Sequence, residues 1–420
     1  MTETEPLSPA RQHKLLAVAW IPHWALLAGQ VAHGASWVLL AVLGAEGLLG
    51  FSFPGLAWVH VVALGYLTLI SLAVLVHVLH GMADIVWKGG AIARWSLLPF
   101  TLGAWGLAAA FWLGRMDGVA AASGLIGLGL IGYGVPAAIS FATSTPEADT
   151  SPAVIRAFVL VLLMLAATAV LGYGMARALA VGGHPWWLSA GPAVHAHLGA
   201  VGWLSLLVIG VSRHTSKPIT GLRSPAVWRH IASSGLVLFG LLALTAGLSG
   251  GWQPLVLAGA GLSVAGAWLY AFDMLSLIRR STVPHKPPQA FVGASSAYFA
   301  VAAVLGAGVA LGKTDWQAAY AFVGLMGWLG QMVVGHLYHI GVRVLTSVAR
   351  GEDDETRPWE VLSLPLSWAT FGLFQSAMVL GAAGLLAAIG PLVVAAGVLG
   401  LVGWGVMGAN MLTAWRRANA

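Results

Sequence analysis

Twelve apolar stretches, each about as long as a membrane-spanning helix, divide the sequence. A spanning helix needs roughly 20 consecutive, mostly apolar residues, and short polar or Gly/Pro segments separate these stretches. A chain of 420 residues that is 59% hydrophobic and only 8% charged is unlike any water-soluble domain. We therefore predict an all-α, polytopic membrane protein. Its predicted spans lie near residues 17–43, 54–82, 91–114, 119–143, 154–181, 189–212, 229–249, 253–278, 290–312, 317–345, 361–388 and 390–415.

The basic residues indicate how these spans are oriented. Short cytoplasmic loops are rich in Lys and Arg. If both termini are cytoplasmic, all of the 20 Lys and Arg residues except Arg115, Arg177 and Lys313 fall in inner segments. Because they are dispersed over several loops, they form no patch large enough to bind nucleic acid. We predict a multi-pass protein of a bacterial-type inner (cytoplasmic) membrane, with the lipid bilayer as its surroundings and no nucleic-acid partner.

The chain contains no cysteine, and this restricts the metal chemistry that it can support. Disulfides, thiolate metal sites and covalently attached c-type haem are excluded. Imidazole is the metal ligand present in quantity, with 14 histidines. Carboxylates, which alkaline-earth cations and proton-coupled carriers require, are almost absent from the apolar stretches. The composition therefore favours haem or copper over a carboxylate-driven pump.

One pattern recurs three times along the chain. The sequences HVVALGYLTLISLAVLVH (60–77), HLGAVGWLSLLVIGVSRH (197–214) and FVGLMGWLGQMVVGHLYH (322–339) align without gaps, and we call them the aligned segments. They fall on the second, sixth and tenth spans. A period of four helices repeated three times differs from the two halves of many secondary transporters. The sequence predicts one membrane domain, 1–420, built from three four-helix units near residues 17–143, 154–278 and 290–415.

Histidines occur at both ends of the first two aligned segments and at the inner end of the third, in which Phe322 replaces the outer histidine. An ionisable side chain inside a membrane indicates a functional site by default. The segments have 17-residue separations between outer and inner histidines, about 25 Å at 1.5 Å per residue, so two sites on opposite sides of the membrane are predicted. The predicted cofactor ligands are His60, His77, His80, His197, His214, His336 and His339, and the predicted metal ligands are His60, His195 and His197.

Spacing refines these candidates. The pairs His77/His80 and His336/His339 are three residues apart, so each pair shares a helix face. His195 and its neighbour two residues on diverge by about 200°, so only one of them can face a site without local distortion. For the inner candidates His80 and His214, snorkelling or helix capping is an equally good interpretation. Weaker candidates are His23 and His33, whereas His13, His184, His230 and His285 are interpreted as residues of loops or loop edges.

The pattern H-x-H-L-x3-G-W-x-x-L-x3-G-x3-H at 195–214, with G-H-L-Y-H at 335–339, resembles the catalytic subunit of the haem-copper oxidase superfamily. It resembles more closely the NnrS-type haem- and copper-containing membrane proteins linked to nitric oxide. The resemblance implies twelve helices in three arcs, with His60 as an outer-side haem ligand and His197 or His195 as a copper ligand. The seventh span lacks the consecutive histidine pair of the oxidases, which argues against a proton-pumping oxygen reductase.

These observations lead to one expected function and two alternatives. The expected protein holds haem b through histidines of helices two, six and ten, with copper as a second candidate cofactor. It would bind or reduce a diatomic gas such as nitric oxide, or transfer electrons from a donor that the sequence does not identify, as an oxidoreductase of the haem-copper type. The first alternative is a copper or haem transporter, or an assembly factor, whose two histidine tiers are entry and exit sites. In the second, the histidines serve packing or pH sensing in a small-molecule carrier.

Overall fold

The computed structural model describes residues 22–48, 50–83, 85, 87–144, 152–183, 190–222, 226–351 and 356–420, without the side chains of residues 80–83 and 152–154. Within these residues all regular secondary structure is helical. The long helices are α1 (His23–Ala45), α2 (53–83), α3 (Gly90–Trp112), α4 (Met116–Thr143), α5 (Pro152–Val181), α6 (Gly191–Thr220), α7 (Val227–Gly250), α8 (Gln253–Arg279), α9 (Pro287–Ala310), α10 (Thr314–Arg350), α11 (Leu364–Leu386) and α12 (Gly390–Ala418).

Eleven helices in the described part of the chain are long and apolar enough to cross a membrane. This confirms the prediction of an all-helical, polytopic membrane protein. Helix α3 coincides with the third predicted span but is not among the eleven, because Arg94, Pro99 and its tryptophans lower its mean hydropathy. A twelfth span therefore stays a prediction. The first predicted span began at residue 17, and its residues 17–21 lie outside the described part.

Neighbouring helices pack as hairpins joined into a ring. Helix α3 packs along α4, α7 along α8, and α11 along α12. Small residues allow this close approach, as is common between membrane helices. A Cβ at Gly129 of α4 would lie 2.7 Å from the backbone nitrogen of Phe100, and a Cβ at Gly247 of α7 would lie 2.6 Å from that of Val256. Helices α5, α9 and α1 extend this layer, because α4 packs on α5, α8 on α9 and α12 on α1.

The helices α2, α6 and α10 each contain an eight-residue π-helical segment. These segments are Val61–Thr68, Leu198–Ser205 and Val323–Gly330. Each begins one residue after the start of an aligned segment, and each contains glycine, an aromatic residue and leucine in succession. Long π-helical stretches are rare, and shorter ones are frequent at functional sites. The three segments contact one another in pairs, so the aligned sequences lie together at the centre of the helix bundle.

A ring of three hydrogen bonds joins the π-helical segments. In each bond the buried aromatic side chain at the seventh position of one aligned segment donates to the ninth residue of another. The bonds are Trp203 Nε1 to Thr68 Oγ1 at 3.1 Å, Trp328 Nε1 to Ser205 Oγ at 2.9 Å, and the Tyr66 hydroxyl to the Gly330 carbonyl at 3.0 Å. The ring satisfies three polar groups that would be costly to bury alone.

Candidate functional site at the ends of the central helices

His60 of α2 and His195 of α6 lie beside each other at the end where the aligned segments begin, the predicted outer side. Their ring centroids are 6.3 Å apart and their planes differ by 29°. Phe111 at the end of α3 covers His60, with ring centroids 5.2 Å apart. Both histidines are half-buried. The structure thus brings together one predicted ligand from α2 and one from α6.

Hydrogen bonds fix the tautomer of both rings. Nδ1 of His60 lies 2.7 Å from the carbonyl oxygen of Leu56, and Nδ1 of His195 lies 2.9 Å from that of Thr168 on α5. A carbonyl oxygen only accepts, so we assign the proton to Nδ1 in each ring, which leaves the Nε2 lone pair available. A backbone acceptor on the second ring nitrogen is the usual way in which proteins orient metal-binding histidines. The chemistry of the donor pair therefore fits a metal ion or haem iron.

Space for the His195 ring depends on a glycine of α5. A Cβ at Gly172 would lie 2.8 Å from Cε1 of His195 and 3.3 Å from its Nδ1. Real Cβ contacts of this kind almost never fall below 3.0 Å. Helix α5 therefore supplies both the carbonyl that orients this histidine and the opening that holds its ring.

His197 faces a different neighbour. Its Nδ1 lies 2.7 Å from the carbonyl oxygen of Ala193, and its Nε2 lies 3.3 Å from the hydroxyl of Tyr320 on α10. With the proton on Nδ1, the tyrosine donates to Nε2. Sequence reasoning missed Tyr320, although the signal was present. It stands two residues before its aligned segment, which is the position that His195 occupies on α6.

A third contact of the same kind is apolar. Phe322 begins the aligned segment of α10, and its ring lies 6.2 Å from that of Trp58, which stands two residues before the segment of α2. Both side chains are buried. A cavity of about 40 Å³ lined by Trp58, Val59 and Ala318 lies beside them. We call the contacts His60–His195, His197–Tyr320 and Phe322–Trp58 the outer junctions.

The three predicted metal ligands do not form one cluster. In the part of the chain that the structure describes, no three His, Asp or Glu side chains are arranged to hold a metal ion. His195 faces His60, whereas His197 faces Tyr320. The arrangement at this end is therefore a two-histidine pair beside a histidine–tyrosine pair.

At the opposite end, the predicted inner side, His336 joins α10 to α6. Its Nδ1 lies 2.8 Å from the carbonyl oxygen of Met332, and its Nε2 lies 3.0 Å from Oγ1 of Thr215. The carbonyl contact repeats that of His60 and His197. His336 thus has the same fixed tautomer as the outer histidines, with Thr215 in the place where a ligand would bind.

His285 lies in the loop between α8 and α9, as the sequence predicts, but its side chain is buried. It is 5% exposed, its Nε2 has no hydrogen-bond partner, and its ring stacks on Trp359 with centroids 6.2 Å apart. Burial lowers the pKa of His285 to about 4, so the ring is neutral at neutral pH. It lies near His339 of α10. A loop position alone gave no sign of this burial.

The other predicted ligands are placed as follows. His77 is half-buried on α2 and His214 is exposed on α6. The side chain of His80 lies outside the described residues, as do His13 and His184.

Of the two weaker candidates on α1, His23 is exposed, whereas His33 is buried beside the ring of hydrogen bonds. The His33 ring stacks on Tyr66 at 4.2 Å, and its Nε2 accepts from Nε1 of Trp37 at 3.1 Å. Its Nδ1 is buried without a hydrogen-bond partner, and its ring packs against Tyr66 and Phe374.

A separate polar pocket lies at the inner ends of α6, α7 and α8. It is lined by Arg213, His230, Tyr270 and Asp273, and its cavity of about 20 Å³ has room for roughly one water molecule. Arg229 pairs with Asp273 across 3.5 Å. His230 belongs to this pocket and not to the junctions, which makes it a suitable control for variants of the junction histidines.

No protein-family model matches this chain, and a search of curated proteins finds no match.

Proposed function

We propose that this protein is a membrane-embedded haem protein of haem-copper-like architecture, nearest to NnrS-type proteins. It would bind or reduce a diatomic gas such as nitric oxide, or transfer electrons. Haem b, with copper as a second candidate, would be held by His60 and His195. The proposal includes three four-helix units with twelve spans, cytoplasmic termini and a bacterial-type inner membrane.

The observation that carries the proposal is the His60–His195 pair. Their ring centroids are 6.3 Å apart, which is close enough for both side chains to belong to one binding site. Each ring is held by a backbone carbonyl at Nδ1, which leaves Nε2 to bind. Haem iron held by both histidines would supply one-electron chemistry, and haem held by only one of them would also be able to bind a gas.

The residues of the chain have separate tasks in this proposal. His60 and His195 bind, and the carbonyls of Leu56 and Thr168 orient them. Phe111 covers one side of His60 and limits the access of water. At the inner end, His336 and His339 would belong to a second site, as the sequence predicts.

The three-unit architecture is supported by features that recur at equivalent positions. These are the eight-residue π-helical segments, the cyclic hydrogen bonds and the outer junctions, each found once per aligned segment. In this proposal helix α3 also crosses the membrane, which makes twelve spans with the other eleven helices. Three repeated units would produce three equivalent contacts of each kind.

The test is an absorption spectrum of the protein purified in mild detergent, oxidised and then reduced with dithionite, together with metal analysis. We expect sharp α and β bands with near-stoichiometric haem. His60→Ala and His195→Ala should each lose that haem, whereas His230→Ala should retain it. A colourless protein with bound copper would overturn the haem assignment in favour of the transporter or assembly-factor alternative. A colourless protein without metal would overturn both.

A further inference from the structure

Arg229 lies where the inner end of α7 meets α8, beside the surface that faces the lipid. Its Cζ atom lies 5.7 Å from the centre of the Trp228 ring and 5.2 Å from the centre of the Phe272 ring of α8. These two rings are 62% and 58% exposed. The face of an aromatic ring attracts a cation, so the guanidinium of Arg229 is held between two rings that border the lipid.

An ion pair orients the same guanidinium from the inside of the protein. Nη1 of Arg229 lies 3.5 Å from Oδ1 of Asp273, whose side chain is buried beside the polar pocket between α6, α7 and α8. This distance is longer than that of an ordinary charged hydrogen bond. Within the described residues no hydrogen bond engages the guanidinium of Arg229, so its N–H groups can bind a further acceptor.

The inner ends of these three helices carry an excess of positive charge. Asp273 is the one acidic residue in the described stretches 206–222, 226–235 and 268–290. The exposed basic side chains at the inner ends of α6 and α8 are Arg213, Lys217, Arg279 and Arg280. Together with Arg229 they outnumber the acidic residue by five to one, so this part of the surface attracts anionic groups.

Both helices continue from the basic end as apolar rows that face the lipid. On α8 the exposed side chains of Trp268, Phe272 and Leu275 are four and three residues apart and therefore share a helix face. On α7 the exposed Ile231 follows Trp228 by three residues. The two rows meet at the arginine, because its guanidinium contacts Trp228 and Phe272. Apolar chains attached to an anionic group could lie along them.

The basic residues at the inner ends of α10 and α12 are used differently. Arg350 donates to backbone carbonyl oxygens at the end of α12, and Arg417 donates to those of Val361 and Leu362. These guanidinium groups hold the ends of helices together. In the described part of the chain, Arg229 has no carbonyl partner of this kind.

We infer that the inner ends of α7 and α8 bind an anionic phospholipid, whose phosphate contacts Arg229 and whose acyl chains lie along the two apolar rows. Phosphate oxygens are strong acceptors for a guanidinium, which can donate two parallel bonds. The polar pocket has a volume of about 20 Å³, which is too small for a phosphate, so the headgroup lies on the outer side of Arg229. Basic sites between membrane helices on the cytoplasmic side are typical of such lipids.

Lipid binding measured by native mass spectrometry tests this inference. The full chain in mild detergent would be titrated with palmitoyl-oleoyl phosphatidylglycerol and, separately, with the phosphatidylcholine that has the same acyl chains. We expect one tightly bound phosphatidylglycerol, with a Kd about tenfold lower than that of phosphatidylcholine, because only the former has a net negative charge. Millimolar inorganic phosphate should not displace it, because free phosphate has no chains to bind the apolar rows.

Arg229→Gln should raise the Kd for phosphatidylglycerol about fivefold, because the contact with the phosphate is lost. The matched control is Arg416→Gln, which removes the same charge from an exposed position at the inner end of α12 and should leave the Kd unchanged. Thermal unfolding in the same detergent identifies variants that fail to fold. If Arg229→Gln fails, Trp228→Leu keeps the ion pair with Asp273, removes one of the stacked rings and should raise the Kd about twofold.

Three outcomes would overturn the lipid site. Equal affinity for the two lipids would show that charge does not select the occupant. Equal effects of Arg229→Gln and Arg416→Gln would show only the general attraction of a basic membrane surface for anionic lipid. Displacement by inorganic phosphate would show a site for a free anion. None of these measurements depends on haem, so the lipid site and the proposed function can fail separately.

Discussion

The His60–His195 and Phe322–Trp58 junctions occupy equivalent positions but have different chemistry. In both, the first residue of one aligned segment contacts the residue two places before the next, with ring centroids 6.3 Å and 6.2 Å apart. One junction offers two imidazoles with available Nε2 atoms, and the other buries two apolar rings. The backbone thus fixes where the rings meet, and the residue types decide whether the contact can bind a ligand or only stabilise the fold.

The largest expected effect comes from making the first junction resemble the apolar one. His195→Phe keeps an aromatic ring at the contact but removes its nitrogen ligand. We expect at least a tenfold loss of haem or copper per protein, measured by reduced-minus-oxidised spectra and metal analysis, because a metal ligand is removed outright. The melting temperature should change little. Unchanged cofactor content would contradict the assignment of this junction.

Phe322→Ala tests how much the apolar junction stabilises the fold. Phe322 is fully buried against Trp58 and Trp37, and truncation of a buried phenylalanine costs about 3–5 kcal/mol. Chemical unfolding in detergent should show this loss, while haem per folded protein stays constant. A loss of unfolding free energy below about 1 kcal/mol, or a parallel loss of haem, would contradict the assignment of a stabilising role to this junction and a binding role to the other.

Gly172→Ala should disturb the histidine junction without removing a ligand. The new methyl group would lie 2.8 Å from the His195 ring, and overpacking of this kind costs about 1–3 kcal/mol. We expect a shifted haem spectrum together with a lower melting temperature. Gly124→Ala on α4, where a Cβ meets nothing within 4 Å, is the control and should leave both unchanged. An unshifted spectrum in the Gly172 variant would show that the ring of His195 is not a ligand.

The smallest effect concerns the ring of hydrogen bonds, in which all three segments take part alike. Tyr66→Phe removes the 3.0 Å bond to Gly330, and Thr68→Val removes the acceptor of the 3.1 Å bond from Trp203, and neither variant removes a buried ring. Hydrogen bonds between membrane helices are worth about 0.6 kcal/mol on average and at most about 1.7. Both variants should lose stability within that range and by similar amounts, as measured by unfolding in detergent. A much larger loss in one of them would indicate that the segments are not equivalent.

Hydropathy and recurrence account for the part of the structure that could be predicted. Long apolar stretches predict helices because lipid leaves backbone groups no other partners, and the shared Gly–aromatic–Leu motif marked the central segments. The π-helical turns could not be predicted, since nothing in a 3.6-residue period indicates an extra residue per turn. The contacts of His60 with His195 and of His197 with Tyr320 join different helices, so spacing along one helix could not predict them. The hydrogen bond between Gln375 and Gln331 could not be predicted either, because these side chains come together only through tertiary packing.

The cyclic hydrogen bonds also bear on how the protein is made. Each bond joins two different aligned segments, so the ring cannot close until α10 has entered the membrane. Until then the hydroxyl of Tyr66 has no carbonyl at Gly330 to bind, and Ser205 receives no bond from Trp328. During synthesis, the first eight helices would therefore wait in the bilayer with an open, partly unsatisfied centre, and insertion of the last third of the chain would complete it.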